Sequence, residues 1–387
     1  MKDHPATDPK VLRVAHLPCN TPDVLPALAA QLGPDPLELV LLFFSPETDC
    51  ASLAQAAARI FAPATVIGCS TAGELTHNGY EEGQIIAIAL PSDLFRARHL
   101  LVENLCDYDS DGLVAEMLQN RNKLAREAAA FRHEFNFLLV DGLSRREDAL
   151  AADLSLGLGP VPLFGGSAGD GERFGATFIL CDGQLHQNAA VLTQIRSRCP
   201  INVFKSDHLI PSPRKMVVTE ANPEERLVRE INAEPAAREY ARILGKDPEQ
   251  LDTFTFAAHP VVVRIGDQHH VRSIQRVADN GDLVFFSAID EGLVLTLAEP
   301  LDMVSHLRSE LDALAAKEPP AAILACDCLL RKLEAEQKQM TGQLSELMAD
   351  RGVVGFSTYG EQWNSMHVNQ TLTGVAFYPP DDTGGAT

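Results

Sequence analysis

Val66-Ile-Gly-Cys-Ser-Thr-Ala-Gly-Glu74 recurs 287 residues later as Val353-Val-Gly-Phe-Ser-Thr-Tyr-Gly-Glu361, with six of the nine positions identical. The register extends outward without a gap. Sixteen residues past each glutamate an apolar stretch ends, 84–90 in the first copy and 371–377 in the second. Matched motifs at one distance from matched strands argue for a duplicated supersecondary unit. The lead-ins agree. Residues 39–44 read as a strand and 51–61 as a helix with Leu53, Ala57 and Ile60 on one face. Residues 321–325 and the stripe Leu333, Met340, Leu344 and Leu347 repeat that pair. Each copy reads strand, helix, strand, Gly-Ser turn, strand.

A looser third copy lies between them. Residues 137–140 form a strand, Ser144-Arg-Arg-Glu147 has the spacing of a capping box, and 161–164 runs into Gly165-Gly-Ser-Ala-Gly-Asp170. Hairpin-like strands follow at 176–180 and 189–195, split by Asp182-Gly183. The proline-bearing stretch 196–216 marks a boundary, and beyond it meander strands alternate with amphipathic helices. The pattern predicts two layered α/β domains with mixed sheets, over 12–212 and 213–379, flanked by solvated tails at 1–11 and 380–387.

Composition narrows the function. Of 387 residues, 45% are hydrophobic and 22% charged, enough apolar side chains to fill two cores. The net charge of −21 opposes binding to nucleic acid or to an anionic membrane surface. No apolar run has the length of a membrane span, and the polar start lacks a signal-peptide pattern, so a cytoplasmic protein is expected. Eight dispersed cysteines are expected to stay reduced. Cys326-Asp-Cys328 fits neither zinc-ribbon nor thioredoxin spacing, so structural zinc is not expected.

With these motifs in place, the sequence resembles the FIST family of bacterial sensory proteins over nearly the whole chain. Gly68-Cys-Ser-Thr-Ala-Gly-Glu74 with Gly79-Tyr80, Leu139-Val-Asp-Gly-Leu-Ser144 and Gly165-Gly-Ser-Ala-Gly-Asp170 look like its N-terminal domain. His259-Pro-Val-Val-Val263, Val271-Arg-Ser-Ile274, Cys326-Asp-Cys328 and the run from Gly355 to Gly374 look like its C-terminal domain. The length is most like the nitric oxide-sensing haemoprotein subgroup (NosP). That resemblance implies haem as cofactor, nitric oxide as ligand, and a partner histidine kinase or diguanylate cyclase/phosphodiesterase regulated in trans; it is compatible with a homo-oligomer. One departure is Ala233, where the subgroup's pattern has glycine, so the turn there must avoid positive φ or absorb strain.

Two sets of residues are candidates. Gly68, Ser70, Thr71, Gly73 and Glu74, with Ser357, Thr358, Gly360, Glu361 and Asn369, put small side chains, hydroxyls and backbone N–H groups at tight turns that can meet a ligand's polar end. A haem iron needs an axial imidazole or thiolate in an apolar pocket. His367 is the first candidate for the metal, ahead of His259 and Cys199, with Tyr359, Trp363 and Met366 as porphyrin contacts. The alternative is a haem-free sensor of a small metabolite such as an amino acid. An enzyme with Cys326 or Cys328 as nucleophile and His367 as base is the weakest reading. The G-x-S-x-x-G pattern is one residue too long for a nucleophile elbow, and Gly165–Asp170 has the wrong spacing for a dinucleotide fingerprint.

Overall fold

The computed structural model describes residues 11–266 and 268–380. The tails expected at 1–11 and 380–387 lie almost wholly outside them.

Three consecutive units share one order of elements. The first runs β1 (Arg13–Pro18), α1 (Val24–Leu32), β2 (Leu37–Phe44), α2 (Cys50–Ile60), β3 (Thr65–Ser70), the hairpin β4 (Glu74–Thr76) and β5 (Gly79–Glu81), and β6 (Gln84–Pro91). The second runs β7 (Phe95–Val102), α3 (Ser110–Glu127), β8 (His133–Val140), α4 (Glu147–Leu158), β9 (Leu163–Ser167), the hairpin β10 (Ile179–Cys181) and β11 (Gln184–His186), and β12 (Ala190–Ser197). The third opens with β13 (Ile201–Ser206) and is interrupted by β14 (Leu209–Asn222), β15 (Leu227–Ile231), β16 (Glu234–Pro235), α5 (Ala236–Leu244), α6 (Thr253–Ala258), β17 (Val261–Ile265), β18 (Gln268–Arg272), β19 (Ile274–Val277), β20 (Leu283–Phe285) and β21 (Val294–Pro300). It resumes with α7 (Met303–Leu314), β22 (Ala322–Cys328), α8 (Leu329–Gln337), α9 (Thr341–Asp350), β23 (Val353–Thr358), the hairpin β24 (Glu361–Trp363) and β25 (Met366–Val368), and β26 (Leu372–Phe377).

In each unit the inner strand pairs parallel to the strand after its helix and antiparallel to the last strand. These are mixed sheets, as the alternating pattern predicts. Each hairpin, however, completes the sheet of a neighbouring unit. The first unit's hairpin pairs with β23, the third unit's with β9, and the second unit's with β3. The exchange is cyclic and joins segments far apart in the chain. Strands β14 to β21 form a separate antiparallel sheet inserted into the third unit.

Packing follows from this order. The inner faces of the three six-stranded sheets share one core that holds Phe43, Phe137, Phe164, Phe356 and Phe377. Phe43 of the first unit stacks on Phe356 of the third with centroids 4.2 Å apart. The outer faces are covered by helix pairs, for example Leu28 and Ala57 over Val40 and Ala87. The inserted sheet has its own core around Tyr240, Phe256 and Phe285.

Several local expectations change. The stripe through Leu333 and Leu347 belongs to two helices, broken where Gln339 takes φ 57°. The capping box does not form: Arg146 is the cap of α4, the Ser144 hydroxyl accepts from the Arg146 N–H instead, and Glu147 is committed to Arg226 at 2.6 Å. Asp182-Gly183 does turn a hairpin, but between β10 and the short β11; the longer strand expected there is the central strand β12. Pro235 stands just before α5 and pairs in β16. Ala233 absorbs the strain, at φ 62° beside Asn232 at φ 55°.

Candidate functional site

The two copies of the duplicated motif fold alike for one steric reason. A Cβ on Gly68 would lie 1.8 Å from the Leu42 carbonyl oxygen, and one on Gly355 would lie 1.8 Å from that of Ala325. In the second unit Gly165 meets the Leu138 oxygen at 1.9 Å. Only glycine lets the parallel neighbour approach so closely. The serine two positions on then reaches the strand end, where the chain turns.

At these turns the units are laced together by backbone. Ala72 donates to the Ser357 carbonyl at 2.9 Å, Tyr359 to that of Ser167 at 3.2 Å, and Gly169 to that of Ser70 at 3.0 Å. Three equivalent bonds close a ring. Glu74 and Glu361 sit in matching cages. Glu74 accepts from the Thr71 hydroxyl at 2.5 Å and the Gln84 N–H at 3.1 Å; Glu361 accepts from the Thr358 hydroxyl and the Thr371 N–H, the latter at 3.2 Å. Burial pushes Glu74 up to about 7 and Glu361 up to about 8, because a carboxylate loses its hydration there.

Around the first copy the ring opens into a cavity of about 240 Å³. Its walls come from all three units: the Thr71–Glu74 turn with Glu47 and Glu82, the Asp170–Arg173 turn, and Leu329 with Lys332 from α8. The cavity lies beyond the carboxyl ends of β2, β3 and β22, where open α/β sheets place ligands. Lys332 pairs with Glu82 and lies 3.5 Å from the Ala72 carbonyl oxygen. A Cβ on Gly73 would come within 3.0 Å of the Lys332 ammonium, so glycine leaves the cation its room. Asp170 pins its turn by accepting from the N–H groups of Phe174, Gly175 and Ala176 at 2.8, 2.8 and 2.9 Å.

Helix α8 has a second face. Arg331 bonds Asp327 at 2.7 Å and the Nδ1 of His208 at 3.1 Å, while His208 Nε2 meets Glu334 at 3.0 Å. Tyr80 completes this buried network through its hydroxyl on Asp327. One helix thus touches the cavity, the first unit's hairpin, and the root of the inserted sheet at His208.

Of the residues expected at a ligand turn, Thr71, Gly73 and Glu74 line the cavity. Gly68 packs on β2, and the Ser70 hydroxyl accepts from Phe178 N–H at 3.0 Å. Ser357, Thr358, Gly360 and Glu361 are enclosed, and Asn369 is a seam residue that accepts from the Ser287 hydroxyl at 2.7 Å. Lys332, Glu82 and Arg173 carry no local pattern that marks them, since Lys332 enters from helix α8 and the other two from turns of different units. Asp170 stands in a quoted glycine motif and was legible only as part of it.

The residues expected around haem do not form a pocket. His367 is buried with Nδ1 3.4 Å from the Gln362 amide and Nε2 3.4 Å from the Asn369 amide, and its ring fills the space a Cβ on Gly360 would need. Neither nitrogen has a free approach for an iron. Tyr359 is engaged with Asp170 and packs tilted against Phe174, with ring centroids 4.6 Å apart. Cys199 packs in the central core, while His259 ends α6 in the inserted unit. Trp363 and Met366 are half-buried on the third unit's hairpin. This donor set does not fit a haem plane. Nor does it fit thiol catalysis: burial pushes Cys326 and Cys328 well above the usual thiol range, so the nucleophilic thiolate is disfavoured.

Two family models match the chain. That of the FIST N domain covers residues 38–234, and that of the FIST C domain covers residues 236–364. No curated protein matches it. Among the described residues, no helix is long and apolar enough to cross a membrane.

Proposed function

Because the chain belongs to the FIST family, whose domains are associated with sensing small ligands in signal transduction, we propose that it is a sensory protein that holds a small zwitterion in the three-unit cavity. The observation that carries this reading is the charge arrangement inside the cavity. Lys332 enters from one unit and faces Glu82 and the caged Glu74 of another, with Arg173 arriving from the remaining one. An amino acid's carboxylate takes the Lys332 ammonium, and its ammonium takes the carboxylate that Lys332 releases. The cavity, about 240 Å³, equals roughly eight water shares of ~30 Å³. That suits a metabolite of amino-acid size and lies below the ~300–1,000 Å³ typical of drug-sized ligand pockets.

Output is proposed to go to a partner protein, a histidine kinase or a cyclic-di-GMP enzyme, a reading supported by the resemblance. Helix α8 supplies the physical link from the cavity to the inserted sheet.

Thermal unfolding against a panel of amino acids, amines and short carboxylic acids tests the proposal. A ligand at a hundred times its Kd stabilises by about 2.7 kcal/mol. The expected result is a shift with a zwitterion that Lys332→Ala reduces at least tenfold in affinity, with circular dichroism unchanged. No shift across the panel, or one that Lys332→Ala leaves intact, overturns the reading. A Soret band that survives purification would favour haem instead.

A further inference from the structure

We propose that His99, Cys181 and Asp182 form a binding site for a soft divalent cation of the zinc class, on the opposite side of the second unit's hairpin from the helix α2. The donors come from two strands that pair in different sheets. His99 lies on β7, the outer strand of the second unit's sheet, and Cys181 ends β10, which has crossed to the first unit's sheet. Asp182 opens the hairpin turn at φ 50°, with Gly183 following at φ 74°. One ligand atom from each residue lies within 4.8 Å of the others.

The spacing suits the chemistry. His99 Nε2 is 3.3 Å from Asp182 Oδ2. Two ligands held tetrahedrally at ~2.0–2.1 Å from zinc stand about 3.3 Å apart. One imidazole, one thiol and one carboxylate make a mixed N, S, O set, which selects zinc-like ions over magnesium or calcium. The Asp182 side chain is 68% exposed and that of His99 24%, so solvent reaches two of the three donors, while Cys181 is buried.

A second cross-seam pair stands beside the first. His186 Nδ1 of β11 meets Glu103, just past β7, at 3.2 Å. Binding forms a metal–sulfur bond and releases the thiol proton to solvent. The fourth position falls to water or to Glu103. Cysteine spacing gives no hint of this site, because His99 stands 82 and 83 residues before the consecutive pair Cys181 and Asp182.

The full chain, stripped with chelator and dialysed, is titrated with cobalt(II) and then with zinc(II) in competition. One cobalt per chain with a thiolate-to-cobalt charge-transfer band is expected. Cys181→Ser should abolish the band, and His99→Gln should weaken affinity at least tenfold. Absence of stoichiometric binding overturns the proposal, as does a band that persists in Cys181→Ser. Should Cys181→Ser fail to fold, the surface variant His99→Gln decides: unchanged affinity there rejects the site.

Discussion

Ser357 donates its backbone N–H to the carbonyl of Gly73 across 2.7 Å, and Ala72 returns a bond to the Ser357 carbonyl at 2.9 Å. The two copies of the duplicated motif are thus hydrogen-bonded to each other. The glycine turn of one unit serves as the edge on which the next unit's strand ends. A ligand at the Thr71–Glu74 turn therefore sits on a junction between units, where a small displacement has two packed neighbours to act on.

The glycines under these turns should tolerate no side chain. Gly355→Ala places a Cβ 1.8 Å from the Ala325 oxygen at a residue whose φ is already 153°, so the parallel pair β22–β23 must separate. A loss of more than about 4 kcal/mol is expected, beyond the range of ordinary substitutions. Gly342→Ala, in α9 with nothing within 4 Å of the new Cβ, should instead be neutral or stabilise by up to about 1 kcal/mol. Urea unfolding of both variants checks the contrast.

Stability should fall as pH rises above about 6.5, where the histidines whose values burial lowers are neutral in both folded and unfolded chains. Glu74 and Glu361 hold protons in the folded state up to about 7 and about 8. From about 6.5 to about 8 these two carboxyls make the folded chain bind more protons than the unfolded one, so ΔG of unfolding declines with pH. At about 1.4 kcal/mol for each pH unit and group, the loss over that range amounts to roughly 3 kcal/mol. Glu361→Gln, which stays neutral, should flatten the profile and be more stable than the parent near pH 8.5. An unchanged slope would place the pH dependence elsewhere.

Asp327→Asn should cost about 3–5 kcal/mol, because it leaves the Arg331 guanidinium buried without its nearest counter-charge. Both side chains are essentially inaccessible, at 0% and 2% exposure. Chemical denaturation measures it; a cost below about 1 kcal/mol would show that Glu334 neutralises Arg331 unaided.

Ala233→Gly should stabilise the chain by up to about 1 kcal/mol. Asn232 and Ala233 both take positive φ between β15 and β16, the pattern of a type I′ turn that favours Asn-Gly. The left-handed conformation costs an L-residue roughly 1–2 kcal/mol, part of which glycine returns as chain entropy. A rise of a few degrees in Tm is expected, and a fall would show that Ala233 is held by contacts outweighing its φ.

The duplicated unit was legible because its determinants are local. Glycine under a parallel neighbour, threonine reaching the caged glutamate and a fixed distance to the next strand leave the same mark at 66–90 and 353–377. The second unit was harder to read, since Gly171 stands where the other copies have glutamate and a longer loop separates its turn from its hairpin. Position along the chain is a weak guide to a haem ligand. His367 does follow a turn of small residues, yet Gly360 makes room for its ring rather than for a cofactor.

By itself the sequence determined the inner strands of the duplicated copies, the mixed sheets and the kinship of the two motifs, because hydrophobic period and glycine sterics act over a few residues. Tertiary structure alone decided which sheet each hairpin joins. A three-residue strand such as Glu74–Thr76 or Glu361–Trp363 pairs equally well by its own pattern with its parent sheet or another. The choice is made by the shared core, where Phe43 meets Phe356. That choice carries Glu74 to Lys332 and sets Cys181 opposite His99. Both candidate sites are made of residues that no spacing connects, because they come together only once the three units close on one another.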